Sequence, residues 1–278
     1  LGEMAGAVLV DFLRDQGWSS IDCYAPSRLT TATADEFSQG MKNLINWCER
    51  IIPGYQRAGY EIIFNLTGGF KSLQGYLTIV GMFYADRIVT IFETANELLT
   101  IPHLPIDLDK SVFQEHRVAL ALMAEGDALL PRDQVTGIPD GLLETLDGRV
   151  GLSNWGLLAW NRLQSDILRS ELLDFPRLRY TSTFKKDFDK ADVADREALQ
   201  CTLAQVSVLL AENNGDVTVL KQHTGLQYKN YRKERTSDNR PIGHLYLNQG
   251  RRVSCVMRSD GTLLLRHFGE HDKVNDAP

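Results

Sequence analysis

Apolar positions recur at helical spacing between residues 34 and 55. Phe37, Met41, Leu44, Ile45, Cys48, Ile51 and Ile52 fall on one face, and Pro53-Gly54 marks the expected end. The period then changes. Residues 61–66 form a short apolar run, 72–85 an amphipathic helix, and 87–92 (RIVTIF) a second apolar run. Strand, helix and strand in close succession predict a βαβ unit and therefore a parallel sheet. Two prolines within 101–106 exclude a central strand there. Residues 112–125 are predicted helical and 132–151, rich in Gly, Pro and Asp, a loop. Ser153 is a suitable N-cap for a helix reaching about Arg169. The apolar segment from Met4 to Leu13 is expected to be a helix that follows a first strand lying ahead of Leu1.

After Pro176 the pattern differs. Residues 172–179 (LLDFPRLR) mark the expected junction, with a linker over 171–180. A long helix is predicted over 191–212, stopped by Asn213-Asn214-Gly215-Asp216. Strands are predicted over 217–221, 242–248, 252–257 and 262–268, with Asp260-Gly261 as a hairpin turn. The expected architecture is an α/β, Rossmann-like domain over 1–170 and a small α+β domain with an antiparallel sheet over 181–278.

Composition adds one asymmetry. The 278 residues carry a net charge of −6, yet residues 221–273 hold 11 Lys and Arg against 5 acids. A basic C-terminal patch beside an acidic N-terminal part points to nucleic acid for one domain only. Tyr228, Tyr231, Arg232 and Lys233 interleave aromatic and basic groups, as single-stranded RNA binding requires, although a solvated basic face gives the same composition. No apolar run approaches the ~20 residues of a membrane span. Cys23, Cys48, Cys201 and Cys255 lie far apart with no CxxC pair, so buried free thiols and a cytoplasmic location are expected.

The candidate chemistry begins at Asn65-Leu66-Thr67-Gly68-Gly69-Phe70-Lys71. An apolar strand runs into a Thr-Gly-Gly turn, and a lysine opens the next helix. Backbone N–H groups, a hydroxyl and a cation at a helix start suit a phosphate-bearing ligand; a tight turn serving only packing is the plainer alternative. With Tyr84-Ala85-Asp86 and the strand before Glu93, this run resembles the CARF domain, the Rossmann-like sensor of type III CRISPR systems. The resemblance covers about residues 1–170. It implies a homodimer binding cyclic oligoadenylate, with cyclic tetra-adenylate the expected ring, across a two-fold axis. Thr67, Gly68 and Gly69 would contact phosphate and ribose through backbone N–H groups and the Thr hydroxyl. Lys71 would supply charge and Asn65 would orient the loop.

A second resemblance spans residues from about Tyr180 onward. Phe184-Lys185-Lys186-Asp187-Phe188, the long helix, Gly250-Arg251-Arg252-Val253 and the closing run Arg266-His267-Phe268-Gly269-Glu270-His271-Asp272-Lys273 are similar to RelE/HigB-type toxins. These cut mRNA on the ribosome without metal or cofactor. The resemblance implies attack by a ribose 2′-OH on the adjacent phosphorus, with Arg252 stabilising the developing charge and His271 as general acid. His244 is the weaker candidate for general base, since a lone sheet histidine is as often structural. Lys273 belongs to the catalytic set as a phosphate contact, and Arg240, Arg266, Arg232 and Lys233 are RNA-contact candidates. The combined expectation is a ribosome-dependent endoribonuclease controlled by cyclic oligoadenylate in CRISPR antiviral defence. The alternatives are a ligand-sensing regulator that binds nucleic acid without cutting it, and a sensor that degrades its own cyclic ligand.

Overall fold

A computed structural model describes residues 2–68, 71–91, 97–247, 250–276 and 278. The chain divides into two compact units, Leu1–Asp107 and Leu108–Pro278.

The first unit begins with helix α1 (Gly2–Asp15) and helix α2 (Ala34–Arg57). Thr33 caps α2, its hydroxyl accepting from Glu36 N at 3.1 Å. The helix does not end at Pro53-Gly54 as expected. Proline removes only its own N–H, and the following turn is retained by Ala58 N donating to Gly54 O at 3.2 Å. Strand β1 (Ile63–Asn65), helix α3 (Lys71–Tyr84) and strand β2 (Arg87–Ile91) then form the expected βαβ unit, with β1 parallel to β2. A third strand that the pattern did not predict, β3 (Leu98–Ile101), pairs antiparallel with β2 at the sheet edge. Met41, Ile45, Cys48 and Ile52 of α2, Val80 and Tyr84 of α3, and Ile88 and Val89 of β2 are buried.

The second unit opens with α4 (Lys110–Glu115) and α5 (Arg117–Glu125), two helices where one was expected, divided at His116. The expected 132–151 loop contains a hairpin of β4 (Leu143–Leu146) and β5 (Arg149–Leu152). Helix α6 (Asn154–Leu168) is capped by Ser153 as predicted, with Gly156 N donating to its hydroxyl at 3.1 Å. Strand β6 (Leu178–Tyr180) and helices α7 (Ser182–Lys190) and α8 (Val193–Glu212) follow. The segment predicted as a strand over 217–221 is helix α9 (Thr218–Gln222). Asp216 turns the chain into it by accepting from Thr218 N at 2.8 Å. Strands β7 (Lys229–Arg235), β8 (Pro241–Tyr246), β9 (Arg251–Met257) and β10 (Leu263–Glu270) then lead to helix α10 (His271–Asp276).

The five-stranded sheet has the order β6-β10-β9-β8-β7; β6 is parallel to β10 and the other pairs are antiparallel. One continuous core joins Leu120 of α5, Trp160 and Ile167 of α6, Leu203 and Val206 of α8, and Leu245, Val253 and Leu265 of the sheet. The compact units therefore part at Asp107, upstream of the junction expected at 171–180. Residues 171–180 are no free linker, since Leu173, Phe175 and Leu178 are buried. Two side chains fasten this segment to α8. Gln200, fully buried, accepts from Leu173 N at 2.7 Å and donates to Leu168 O at 2.6 Å and Glu171 O at 2.9 Å, and the Ser207 hydroxyl donates to Pro176 O at 2.6 Å.

Candidate functional site

In the first unit the loop after β1 stands at the carboxyl end of a parallel strand, where open α/β sheets bind ligands. Asn65 Oδ1 accepts from Thr67 N at 3.0 Å. That bond occupies the Thr67 backbone N–H, which the anion-cradle reading needed free. The Thr67 hydroxyl accepts from Ile91 N at 2.9 Å, tying the loop to the end of β2 and leaving its own proton to donate. Gly68 is in the left-handed region at φ 85°, and its carbonyl accepts from Gln74 Nε2 at 2.9 Å. Lys71 opens α3 and is exposed. Gly69 lies outside the described residues. Gln74, which sequence reading passed over, also donates to Leu66 O at 3.0 Å and so holds both ends of the turn.

In the second unit alternation along β8 and β9 sorts the side chains. Leu245 and Val253, in register with each other, face the core, so His244, Tyr246, Arg252 and Ser254 occupy the opposite face. The Arg252 guanidinium lies 5.2 Å from the Tyr246 ring centroid. Its Nη1 donates to Asn275 Oδ1 at 3.1 Å and lies 3.5 Å from His244 Nε2, at the outer limit of hydrogen bonding. Arginine can only donate, so Nε2 of His244 carries the lone pair and Nδ1 the proton. That Nδ1 and the Nε of Arg252 are both buried without a hydrogen-bond partner. Burial first, then the charges of Arg252, Lys229 and His271, depress the His244 pKa from 6.5 to about 4.

Two further residues complete the cluster. The Tyr231 ring, from β7, is tilted against His244 with centroids 4.6 Å apart, and its hydroxyl donates to Asn275 Oδ1 at 2.8 Å. Burial is the main cause that raises the Tyr231 pKa. His271 opens α10, and its Nδ1 lies 2.6 Å from Asp272 Oδ1, an orientation that leaves Nε2 for proton traffic. Arg252, His244 and His271, predicted from separate stretches of sequence, thus gather on one face. Asn275 was missed, because an asparagine amide carries no titratable proton, and Tyr231 was noted only for stacking.

The other candidates stand apart from this hydrogen-bonded group. Lys273 is exposed and pairs with Glu270 at 2.9 Å. Arg240 pairs with Asp238 at 2.6 Å. Arg232 and Lys233 lie exposed on β7, while Arg266 is half-buried with Nη1 unpartnered. His267 pairs with Asp187 at 3.4 Å, in keeping with a structural role. Cys48 and Cys255 are buried as expected and the Cys48 pKa is pushed up to about 12 by burial, whereas Cys201 is half-buried and Cys23 exposed. Among the described residues no group of three or more His, Cys, Asp or Glu is placed to hold a metal ion, and no helix is long and apolar enough to cross a membrane.

Comparison with known proteins bears on the first unit. No curated protein matches the chain significantly. Residues 1–104, the portion that carries the βαβ loop, match the model of a family described as CRISPR-associated protein (Cas_APE2256).

Proposed function

We propose that this chain is a cyclic oligoadenylate-controlled endoribonuclease of CRISPR defence. The gathering of His244, Arg252 and His271 on one half-buried face of a basic sheet carries the catalytic part of this reading. The match of residues 1–104 to a CRISPR-associated family supports the defence context. In the proposed reaction the ribose 2′-oxygen attacks the adjacent phosphorus as its proton passes to a base. The 5′-oxygen leaves and takes a proton from His271, yielding a 2′,3′-cyclic phosphate and a free 5′-hydroxyl. Arg252 neutralises the charge that builds on the phosphoryl oxygens.

A pKa near 4 makes His244 a poor base in the empty site. A bound phosphate offsets the charges of Arg252 and His271 and so draws that pKa upward. The basicity of His244 is then highest when RNA is present. The first unit receives the signal as a homodimer, with Lys71, the Thr67 hydroxyl and Gly68 around the ligand phosphates. That ligand can bias the nuclease only by its differential affinity for two states of the protein.

The test is cleavage of mRNA on translating ribosomes with and without cyclic tetra-adenylate, in buffer containing EDTA. Expected are breaks only with the cyclic ligand, a loss of at least about 100-fold in Arg252→Ala, and ligand binding weakened about ten-fold in Lys71→Ala. Intact mRNA in every arm sinks the nuclease assignment, and unchanged affinity in Lys71→Ala sinks the loop assignment.

A further inference from the structure

We propose that Asn275 is the positioning residue of this site, fixing Arg252 and Tyr231 through its carbonyl and the His271 ring through its amide. The proposal rests on the ribonuclease reading. Its first support is the identity of the atoms. Arg252 Nη1 can only donate, so the Asn275 atom 3.1 Å away must be the oxygen, and the amide orientation is determined. The same oxygen accepts the Tyr231 hydroxyl at 2.8 Å, using its second lone pair. The NH₂ group then lies 3.2 Å from Nε2 and 3.3 Å from Nδ1 of His271. Near-equal distances place the amide across the ring rather than along one lone pair. The ring is held while Nδ1 stays with Asp272 and Nε2 stays open.

Three of the four groups in contact with or next to a reacting phosphate would thus be held by one side chain. The fourth, His244, is held indirectly, between the Tyr231 ring and Arg252. The short helix that carries Asn275 is itself anchored, since Val274 is buried against the sheet beside Gly269. The charged groups around it are Asp272 on its own helix, Arg252 and His244 on the sheet face, and Glu270 at the end of β10. Glu270 is occupied by Lys273 at 2.9 Å and Arg251 at 3.6 Å. None of these can replace a neutral acceptor at the centre of the cluster. Asp can replace its oxygen, and Ala cannot.

The test uses the full chain with cyclic tetra-adenylate and programmed ribosomes at varied concentration. Asn275→Ala is expected to lower kcat about ten-fold with KM changed less than about two-fold, because a displaced guanidinium costs more in the transition state than in binding. Asn275→Asp, which keeps both acceptor bonds, is expected to recover most of that loss. Tyr231→Phe is expected to add nothing to Asn275→Ala, since the two act through one contact. Cleavage by Asn275→Ala at the wild-type rate, or an Asp variant as poor as Ala, overturns the proposal. If the wild-type chain itself does not cut, the ribonuclease reading fails, and NMR of the Arg252 Nε–H decides the positioning claim separately. Faster exchange in Asn275→Ala than in Asn275→Asp sustains the anchor, and equal exchange in all three proteins removes it.

Discussion

His244 occupies a sheet position where its ionised form is poorly tolerated. Its ring is largely buried, its Nδ1 has no partner, and Arg252, Lys229 and His271 all oppose a positive charge there. In an unfolded chain the same imidazole titrates near 6.5, so between that value and about 4 the unfolded state binds more protons than the folded one. Stability from this residue is complete above about pH 6.5 and is lost as pH falls toward about 4. Denaturation midpoints measured across that window should decline, and His244→Gln should flatten the decline by an amount on the order of 1 kcal/mol after solvent screening. An unchanged slope in the variant would show that other groups carry the dependence. The histidine itself was visible in sequence as a candidate base. Its depressed basicity was not, because that comes first from burial in the folded sheet and then from Arg252, Lys229 and His271 on three other elements.

The turns show what can be read at the scale of an element. Asp260-Gly261 predicted a hairpin, and β9 and β10 form one. Its geometry is a three-residue loop, with Gly261 N donating to Arg258 O at 3.2 Å and Gly261 in the left-handed region at φ 74°. The same dipeptide at Asp147-Gly148 joins β4 to β5, with φ 50° and 76°. That signal was present in the sequence and was outweighed by the surrounding Gly and Pro content. A contact between two turns could not be read at all. Gly215, which ends α8 at φ 80°, lies so close to the β9–β10 turn that a Cβ there would sit 2.5 Å from Gly261 Cα and 2.6 Å from its carbonyl oxygen. Gly215→Ala should therefore cost about 2–4 kcal/mol, combining an unfavourable φ with overlap against backbone that cannot rotate away. Gly141→Ala, where a Cβ meets nothing within 4 Å, should be close to neutral. Equal melting temperatures for the two variants would show that the turns separate easily.

The scale of the whole molecule is where sequence reading placed its boundary too late, and α8 explains why. A change in charge balance and Pro176 suggested a junction at 171–180, and both features are real. Yet residues 199–210 of α8 are buried or half-buried all round, as a helix covered on both sides must be. The helix meets α5 and α6, and its Asp195 pairs with Arg251 of β9 at 2.5 Å. A fragment cut at residue 181 would leave bare the side of α8 that meets α5 and α6, would leave the three hydrogen bonds of Gln200 unmade, and would remove β6 from beside β10. Uncovering Leu199, Leu203 and their neighbours forfeits about 1.5–3 kcal/mol for each fully buried large apolar side chain, against a typical domain stability of about 5–15 kcal/mol. A fragment of residues 108–278 should unfold in one cooperative transition with dispersed amide resonances, whereas a fragment of residues 181–278 should show neither. Circular dichroism during urea unfolding and a ¹H–¹⁵N spectrum of each fragment provide the check. A cooperative 181–278 fragment as stable as the longer one would mean that α4 to α6 pack on a core complete without them.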